Sequence, residues 1–437
     1  MDIQVRKWKN IGREEKDRIL LRSEAGINEI MGEAAKIVEA VRTGGDAALR
    51  MFTGKFDGVD LSGKPLGVTE EEFDAAEKGL PENLKSAIDF AVENVKRFHE
   101  TQKPPEMPMV EIRPGLYAGE KAMPVPSAGL YVPSGRGSFP SMLYMLAVPA
   151  VIAGVPEIAV ATPPAKDGSV DPAVLYAARA CGLNGVYRVG GAQAVAALAY
   201  GTGSVPKVDM ITGPGSRWVA AAKRVLHGTV DVGLPAGPSE SVVLADETAD
   251  PEITAFDVLN EAEHGSDSSA LLVTPSEKIA REVSAVLVSL IADLPEPRRT
   301  FVSDVLSGYG GIIITDTMEE AAAVVNEFAP EHLLVKTAEP FDTLPLIRNA
   351  GEILLGPNVP FSLANYVTGP NAVLPTGGTA RTWSAVSVRD FMKFSSVIHA
   401  TPAGFRTCAP AAETLADWEG FPAHGNALRI RRRPGPA

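Results

Sequence analysis

The residue types able to do chemistry are few and concentrated. The chain has six histidines, at 99, 227, 264, 332, 399 and 424. Three of them, at 264, 332 and 424, lie in the more informative settings. In NEAEHGSDS (260–268), Glu261 and His264 are three apart, so a helix would put a carboxylate and an imidazole on one face. Such a pair can hold a divalent metal. Spacing alone favours the plainer reading, a surface acid beside a helix-ending His-Gly. In FAPEHLLVK (328–336), Glu331 and His332 stand just ahead of an apolar run. Two proton-transfer groups at a strand mouth suit general acid–base work, and an incidental polar pair at a turn is an equal alternative. In WEGFPAHGNA (418–427), Glu419 lies five residues before His424. That pair can approach a site from another direction, or belong to a solvated tail. Of the others, His99 reads as exposed on a polar helix flank. His227 precedes Gly228 at a helix end, where positive charge is favoured. His399 has no acidic residue within four positions.

Phosphate-binding signatures are weak. There is no Gly-x-Gly-x-x-Gly after the first strand of the α/β region and no P-loop. VGGAQ (189–193) and GPGS (213–216) are Gly-rich turns feeding helices. Each can offer backbone N–H groups to a phosphate, but every strand-to-helix turn favours glycine. The segment 355–381 is polar, Gly/Pro-rich and without helical or strand period. Segments of that kind are usually functional or disordered, and its aromatic and apolar residues speak against disorder.

These residues need elements to position them. The first third reads as helical. Val41 to Phe52 is amphipathic around a Gly44-Gly45 loop, and Thr69 with Glu72 forms a candidate capping box. Leu84, Ile88, Ala91, Val95 and Phe98 recur at helical spacing, with the helix ending near Pro104. From about Ser127 a strand, a Gly/Pro turn and an Ala-rich helix follow one another four times, with strands in 129–135, 157–164, 185–191 and 208–216. Further strands are expected at 241–246, 270–275, 311–315, 332–337 and 352–356, with helices at 252–264, 277–293 and 318–327. The alternation predicts an α/β fold with helix-covered parallel sheets. Ligands of such sheets bind beyond the carboxyl ends of the strands. The run 139–155 is nearly uncharged, but it is shorter than the ~20 residues of a membrane span and carries Pro140 and Pro149. It reads as a buried helix.

Composition narrows the function classes. The 437 residues carry a formal charge of −13, which argues against a nucleic-acid binder. Hydrophobic content of 45% and charged content of 22% are ordinary globular usage. Two cysteines make neither a disulfide framework nor a zinc ribbon. The first ten residues lack the apolar core of a signal peptide, so the expected compartment is cytoplasmic. The basic end, RIRRRPGPA, reads as a solvated terminus.

Six motifs taken together are far more specific than any one. GGAQAVAALAYGTGSVPKVDMITGPG (190–215), PAGPSE (235–240), EAEHGSDS (261–268), APEHL (329–333), GPNAVLPTGG (369–378) and EGFPAH (419–424) occur in this order and spacing. In them the chain resembles the histidinol dehydrogenase family, from about residue 30 to about residue 431. The resemblance implies two incomplete Rossmann-like domains with small N- and C-terminal extensions in an intertwined homodimer. Its boundaries would be an arm at 1–25, a first domain at 26–126 and 239–385, a second, NAD-associated domain at 127–238, and a tail domain at 386–437 that contributes to the site. It implies zinc and NAD as cofactors. It also implies a four-electron oxidation of a small primary alcohol, through the aldehyde, to a carboxylate. L-histidinol giving L-histidine is the expected reaction, with no nucleic acid and no membrane involved.

Carried over by motif, His332 resembles the base that takes the hydroxyl proton, and Glu331 the base that activates water. Glu261, His264, Asn365 and His424 fall on the zinc-ligand positions. Ser239, Glu261, His264, His332, Asn365, Glu419 and His424 fall on substrate contacts, and Tyr131, Gln193 and Ser216 on NAD contacts. Four positions depart from the family pattern. Glu261 stands where glutamine is usual and Asn365 where aspartate is usual, so one carboxylate and one carboxamide are kept. Ala372 replaces a histidine that reaches the neighbouring subunit's substrate, and Ser216 replaces an asparagine. These last two leave room for a paralogue acting on another primary alcohol, an amino alcohol or a sulfonated diol. A degenerate member that only binds ligand is the remaining alternative.

Overall fold

The computed structural model describes residues 3–22, 27–135 and 137–432. In chain order, the N-terminal elements are β1 (Val5–Lys7), α1 (Arg13–Leu21), α2 (Ile27–Phe52), α3 (Glu70–Gly79), α4 (Glu82–Glu100), β2 (Met109–Arg113) and β3 (Leu116–Pro124). Then come β4 (Ser127–Tyr131), α5 (Pro140–Ala153), β5 (Glu157–Thr162), α6 (Pro172–Ala180), β6 (Val186–Arg188), α7 (Gly191–Tyr200), β7 (Met210–Thr212) and α8 (Arg217–Leu226). They are followed by β8 (Glu240–Ala245), α9 (Pro251–Ala262), β9 (Ser269–Thr274), α10 (Glu277–Asp293), α11 (Arg298–Ser307), β10 (Gly311–Ile314), α12 (Met318–Phe328) and β11 (His332–Lys336). The chain closes with α13 (Pro340–Thr343), β12 (Glu352–Leu355), α14 (Phe361–Tyr366), β13 (Met392–Ala400), α15 (Pro402–Trp418) and α16 (Pro422–Arg431).

The chain divides into two compact units, 1–102 with 125–391, and 103–124 with 392–437. The first holds two parallel sheets. The larger has the order β1-β10-β9-β8-β11-β12, and the smaller β6-β5-β4-β7. Their strands are continuous runs of Val, Ile, Leu and Ala because both faces are covered. In β11, Leu334 joins the core on the α9 and α10 side, with Val243, Val258, Leu272 and Phe361. Leu333 and Val335 join the core on the α12 side, with Val325 and Phe328. The second unit is an antiparallel sheet, β13-β3-β2, with α15 and α16.

Every run read as a strand overlaps one, and the capping box forms: Thr69 accepts from Glu72 N, and Glu72 accepts from Thr69 N. The Gly44-Gly45 pair does not open a loop. It kinks one helix at Gly45, whose φ is +53°. The nearly uncharged run is α5, with both of its prolines inside and its central residues buried. Among the described residues no helix is long and apolar enough to cross a membrane.

Several placements differ from the sequence expectation. Residues 5–7, within the expected N-terminal arm, form an unanticipated strand that pairs in parallel with β10 at the sheet's edge. The helices α2 to α4 pack on the smaller sheet's helices, not on the larger sheet, whereas α1 joins the larger sheet's core through Ile19. Ile37, Val38, Val41 and Leu49 of α2 share a core with Ala194, Val195, Leu198 and Val219 of α7 and α8. Residues 116–124 pair with β13, and 109–113 pair with 116–119, in the second unit. His99 is fully buried, its Nδ1 2.9 Å from Val95 O and its Nε2 3.3 Å from Asn371 Nδ2. The segment 355–381 contains α14. Of the basic end, Arg429 and Arg432 are paired with Asp417 and Glu413, and the last five residues, Arg433 among them, lie outside the described residues.

Gly213 is a tight point of the smaller sheet. Its φ is +116°, and a Cβ there would lie 2.1 Å from Tyr131 O. Gly213→Ala should therefore cost at least ~2 kcal/mol through strain and displacement of the end of β4. Gly32→Ala, on an exposed helix position with open space around it, should be neutral or slightly stabilising. Urea unfolding of both variants checks the pair.

Candidate active site

The site is assembled at one end of the larger sheet. α9 starts at Asp250, whose side chain accepts from Ile253 N at 2.9 Å, with Pro251 in the first turn. Its face of Ala255, Val258 and Ala262 is fully buried, which fixes the helix and carries Glu261 inward in the last turn. Glu261 is 1% exposed. A carboxylate at a helix C-terminus opposes the helix dipole, so helix stability does not explain it. His264 follows, half exposed, its Nδ1 3.0 Å from Ser239 Oγ and 2.8 Å from Glu261 Oε2.

β11 brings the second pair. α12 ends at Ala329 in the left-handed region, φ +50°. Pro330 then starts the extended chain, which places Glu331 and His332, both buried. Glu331 Oε2 accepts from Glu240 N at 2.9 Å, and Glu331 Oε1 lies 3.8 Å from His332 Nε2. Phe361 meets the His332 ring edge-on at 5.8 Å between centroids. α14 supplies the last member. Asn365 Nδ2 donates to Glu261 Oε1 at 2.8 Å. The segment is pinned from α4 and α5: Tyr144 Oη donates to Tyr366 O at 2.8 Å, and Asn94 Nδ2 to Val367 O at 2.9 Å.

Two buried carboxyls are driven apart. Burial pushes Glu261 up, but the His264 and His332 charges and hydrogen bonds from His264 and Asn365 outweigh it and hold the group at about 2. Burial lifts Glu331 to about 8, against the pull of His332 and with help from Glu261. Burial works against the His332 imidazolium, yet Glu261, Glu331 and Glu352 raise it to about 10. Separated carboxyl groups of this kind mark acid–base sites.

The residues fit a metal ion by donor chemistry. Glu261 Oε2 is buried without a hydrogen bond of normal geometry, although His264 Nδ1 is 2.8 Å away. Asn365 spends its amide hydrogen on Glu261 and keeps its carbonyl oxygen. One carboxylate oxygen, one amide oxygen and an imidazole are acceptable zinc donors. Among the described residues no cluster of three His, Cys, Asp or Glu residues could hold a metal. Asn365 makes the third donor here, and His424, exposed on α16 of the second unit, is the remaining candidate. Glu419, at the end of α15, belongs to that unit too.

The residues matched to NAD contacts gather at the smaller sheet. β4 lies between β5 and β7, so the strand order reverses there, and ligands bind at such switch points. Tyr131 ends β4, and its Oη accepts from Gly191 N at 3.0 Å. Gln193, in the first turn of α7, is buried with its Nε2 unpartnered. Ser216 precedes α8 and is exposed, and its hydroxyl makes no capping bond. An unpartnered amide and a free hydroxyl at two helix N-termini suit a dinucleotide.

The larger sheet does not follow the carboxyl-end expectation. Glu240, His332 and Glu352 are the first residues of β8, β11 and β12, so its acid–base groups stand at the amino ends of the strands. They lie there because α9 runs back against the strands and delivers its C-terminus to that end. Sequence reasoning missed Glu240 and Glu352. The only signal for Glu352 was an acid heading an apolar run, as Glu331-His332 heads another.

An α/β protein with a buried carboxylate–imidazole centre on one parallel sheet and a topological switch point in another has the layout of an α/β enzyme. The histidinol dehydrogenase family model matches residues 20–432. A Synechocystis protein named histidinol dehydrogenase is 49% identical, with 98% of this chain and 99% of that one covered. A Cereibacter sphaeroides protein named a histidinol dehydrogenase homolog is 50% identical, with 94% and 93% covered. The crystal structure of histidinol dehydrogenase from Elizabethkingia anophelis superposes with a TM-score of 0.91, 32% identity and 98% of both chains covered. The chain belongs to the histidinol dehydrogenase family.

The buried centre also sets a pH dependence for the metal-free protein. Glu331 is raised from its ordinary 4.5 to about 8, and His332 from 6.5 to about 10. The folded state thus holds more protons than the unfolded chain from about pH 4.5 to pH 10, and stability falls as pH rises across that window. Glu261, held near 2, contributes stability above pH 4.5 that is lost only as pH falls towards 2. Melting temperatures of the EDTA-treated protein should decline from pH 6.5 to 10. Glu331→Gln should flatten the part of the decline below pH 8.

Proposed function

We propose that the chain is a zinc- and NAD-dependent oxidoreductase that carries a primary alcohol through the aldehyde to the carboxylate, with L-histidinol as substrate and L-histidine as product. The observation that carries this reading is the convergence of Glu261, His264 and Asn365 with the buried Glu331–His332 pair. In its neutral form, which a cation offsetting the Glu261 charge would favour by removing the largest influence that raises it, His332 accepts the hydroxyl proton of the alcohol. Glu331, lifted to about 8, is a stronger base than an ordinary carboxylate and is poised near working pH. It takes a proton from the water that adds to the aldehyde. Ser239, beside His264, offers a hydroxyl to the substrate. Glu261, His264 and Asn365 would hold the zinc, with His424 as the fourth ligand and Glu419 contacting substrate. The zinc would orient the alcohol and polarise its oxygen. NAD, held by Tyr131, Gln193 and Ser216, would accept one hydride in each of the two oxidations.

His424 and Glu419 belong to a small unit of their own, and the reading has an intertwined homodimer of incomplete Rossmann-like domains with terminal extensions bringing them to the site. A second reading keeps the chemistry and changes the substrate. Ala372 presents a methyl group on the 369–372 loop where the family pattern carries an imidazole, which favours another primary alcohol.

The test is NADH formation by the zinc-loaded protein. The proposal expects two NADH per L-histidinol. Glu331→Gln should leave alcohol oxidation within about tenfold while lowering aldehyde oxidation by 10² or more. Turnover of a different primary alcohol but not of histidinol would establish the second reading. A protein that binds neither zinc nor NAD would overturn both.

A further inference from the structure

We infer that Glu352 is a positioning residue: its carboxylate fixes the orientation and tautomer of His332, so that Nε2 is the nitrogen that takes the substrate's proton. The inference rests on the catalytic role proposed for His332.

Three observations carry it. Glu352 Oε1 lies 2.5 Å from His332 Nδ1, with the two side chains 10% and 4% exposed. The contact is built by the sheet. His332 and Glu352 are register partners in the parallel pair β11–β12, so their side chains emerge on the same face. The ladder also continues to Glu331, since Glu352 N donates to Glu331 O at 3.0 Å and Gly351 N to Pro330 O at 2.9 Å. A Cβ at Gly351 would lie 2.6 Å from Glu331 O, so the residue before Glu352 must be glycine for the strands to close. Finally, the Phe361 ring edge against His332 restricts the imidazole.

The chemistry follows. A carboxylate accepts only, so Nδ1 carries a proton, and in the neutral imidazole the lone pair is then on Nε2, 3.8 Å from Glu331 Oε1. When the alcohol is oxidised, its hydroxyl proton passes to Nε2 and its hydride to NAD⁺, which is reduced. Nδ1–H stays hydrogen-bonded to Glu352, whose carboxylate stabilises the imidazolium. A buried ion pair kept for stability alone is a poor alternative, because such pairs gain little over apolar packing.

Two readouts test the inference. In proton NMR of the protein without substrate, the His332 Nδ1–H should give a strongly downfield resonance, absent in His332→Gln and lost in Glu352→Gln. In turnover, Glu352→Gln should lower kcat by about 10² or more with KM within threefold, and Glu352→Asp should recover part of the loss. A downfield resonance that survives Glu352→Gln overturns the inference, as does an unchanged kcat. A raised KM at full kcat would make Glu352 a substrate contact and overturns it equally. If the wild-type protein oxidises no alcohol, the functional proposal fails, and the resonance still decides whether Glu352 sets the tautomer.

Discussion

The site depends on keeping the Glu261 carboxylate ionised inside the fold. Glu261 is 1% exposed and sits at the C-terminal end of α9, where both desolvation and the helix dipole oppose its charge. Three neighbours reverse that balance. Asn365 donates to one oxygen, His264 stands at ion-pair distance from the other, and the His332 charge acts through the low-dielectric interior. The same carboxylate raises both Glu331 and His332. One buried charge therefore adds to the burial that lifts Glu331 and is the largest influence that raises His332. A cation placed among Glu261, His264 and Asn365 would relieve the cost of burying that charge.

The two sheets carry different features. The smaller offers the carboxyl ends of β4 and β7 and the N-termini of α7 and α8, features suited to an anionic dinucleotide. The larger gathers its acid–base groups at the amino ends of β8, β11 and β12, with the C-terminus of α9 beside them. Parallel register gives this end its precision. One backbone ladder fixes Glu331, His332 and Glu352 together, and Glu240 N anchors Glu331 from the neighbouring strand. α14 depends on more distant support, from Tyr144, Asn94 and the buried Asn371–His99 contact.

Much of this was legible in the sequence because it is local. Apolar runs between Gly/Pro turns mark the strands, and Thr69 with Glu72 marks a helix start. Glu261 and His264 are near in sequence as well as in space. What was hidden depends on long-range pairing. Nothing near Glu352 says that it will lie beside His332, twenty positions earlier. His99 looked solvated among polar neighbours, yet the GPNA loop covers it. The early helices could have covered either sheet, and only the fit of Ile37, Val41 and Leu49 into α7 and α8 decides it. Lone short strands such as 5–7 carry too little pattern to be read without their partner.

The central claim is that Glu261, His264 and Asn365 share one cation next to the Glu331–His332 pair. Anomalous X-ray scattering at the zinc edge, on crystals of the zinc-loaded protein, tests it most directly. The account predicts one zinc per chain, bound by Glu261, His264 and Asn365, and its loss in His264→Ala. Zinc absent from these residues at full loading, or bound equally well in the His264→Ala variant, would contradict it.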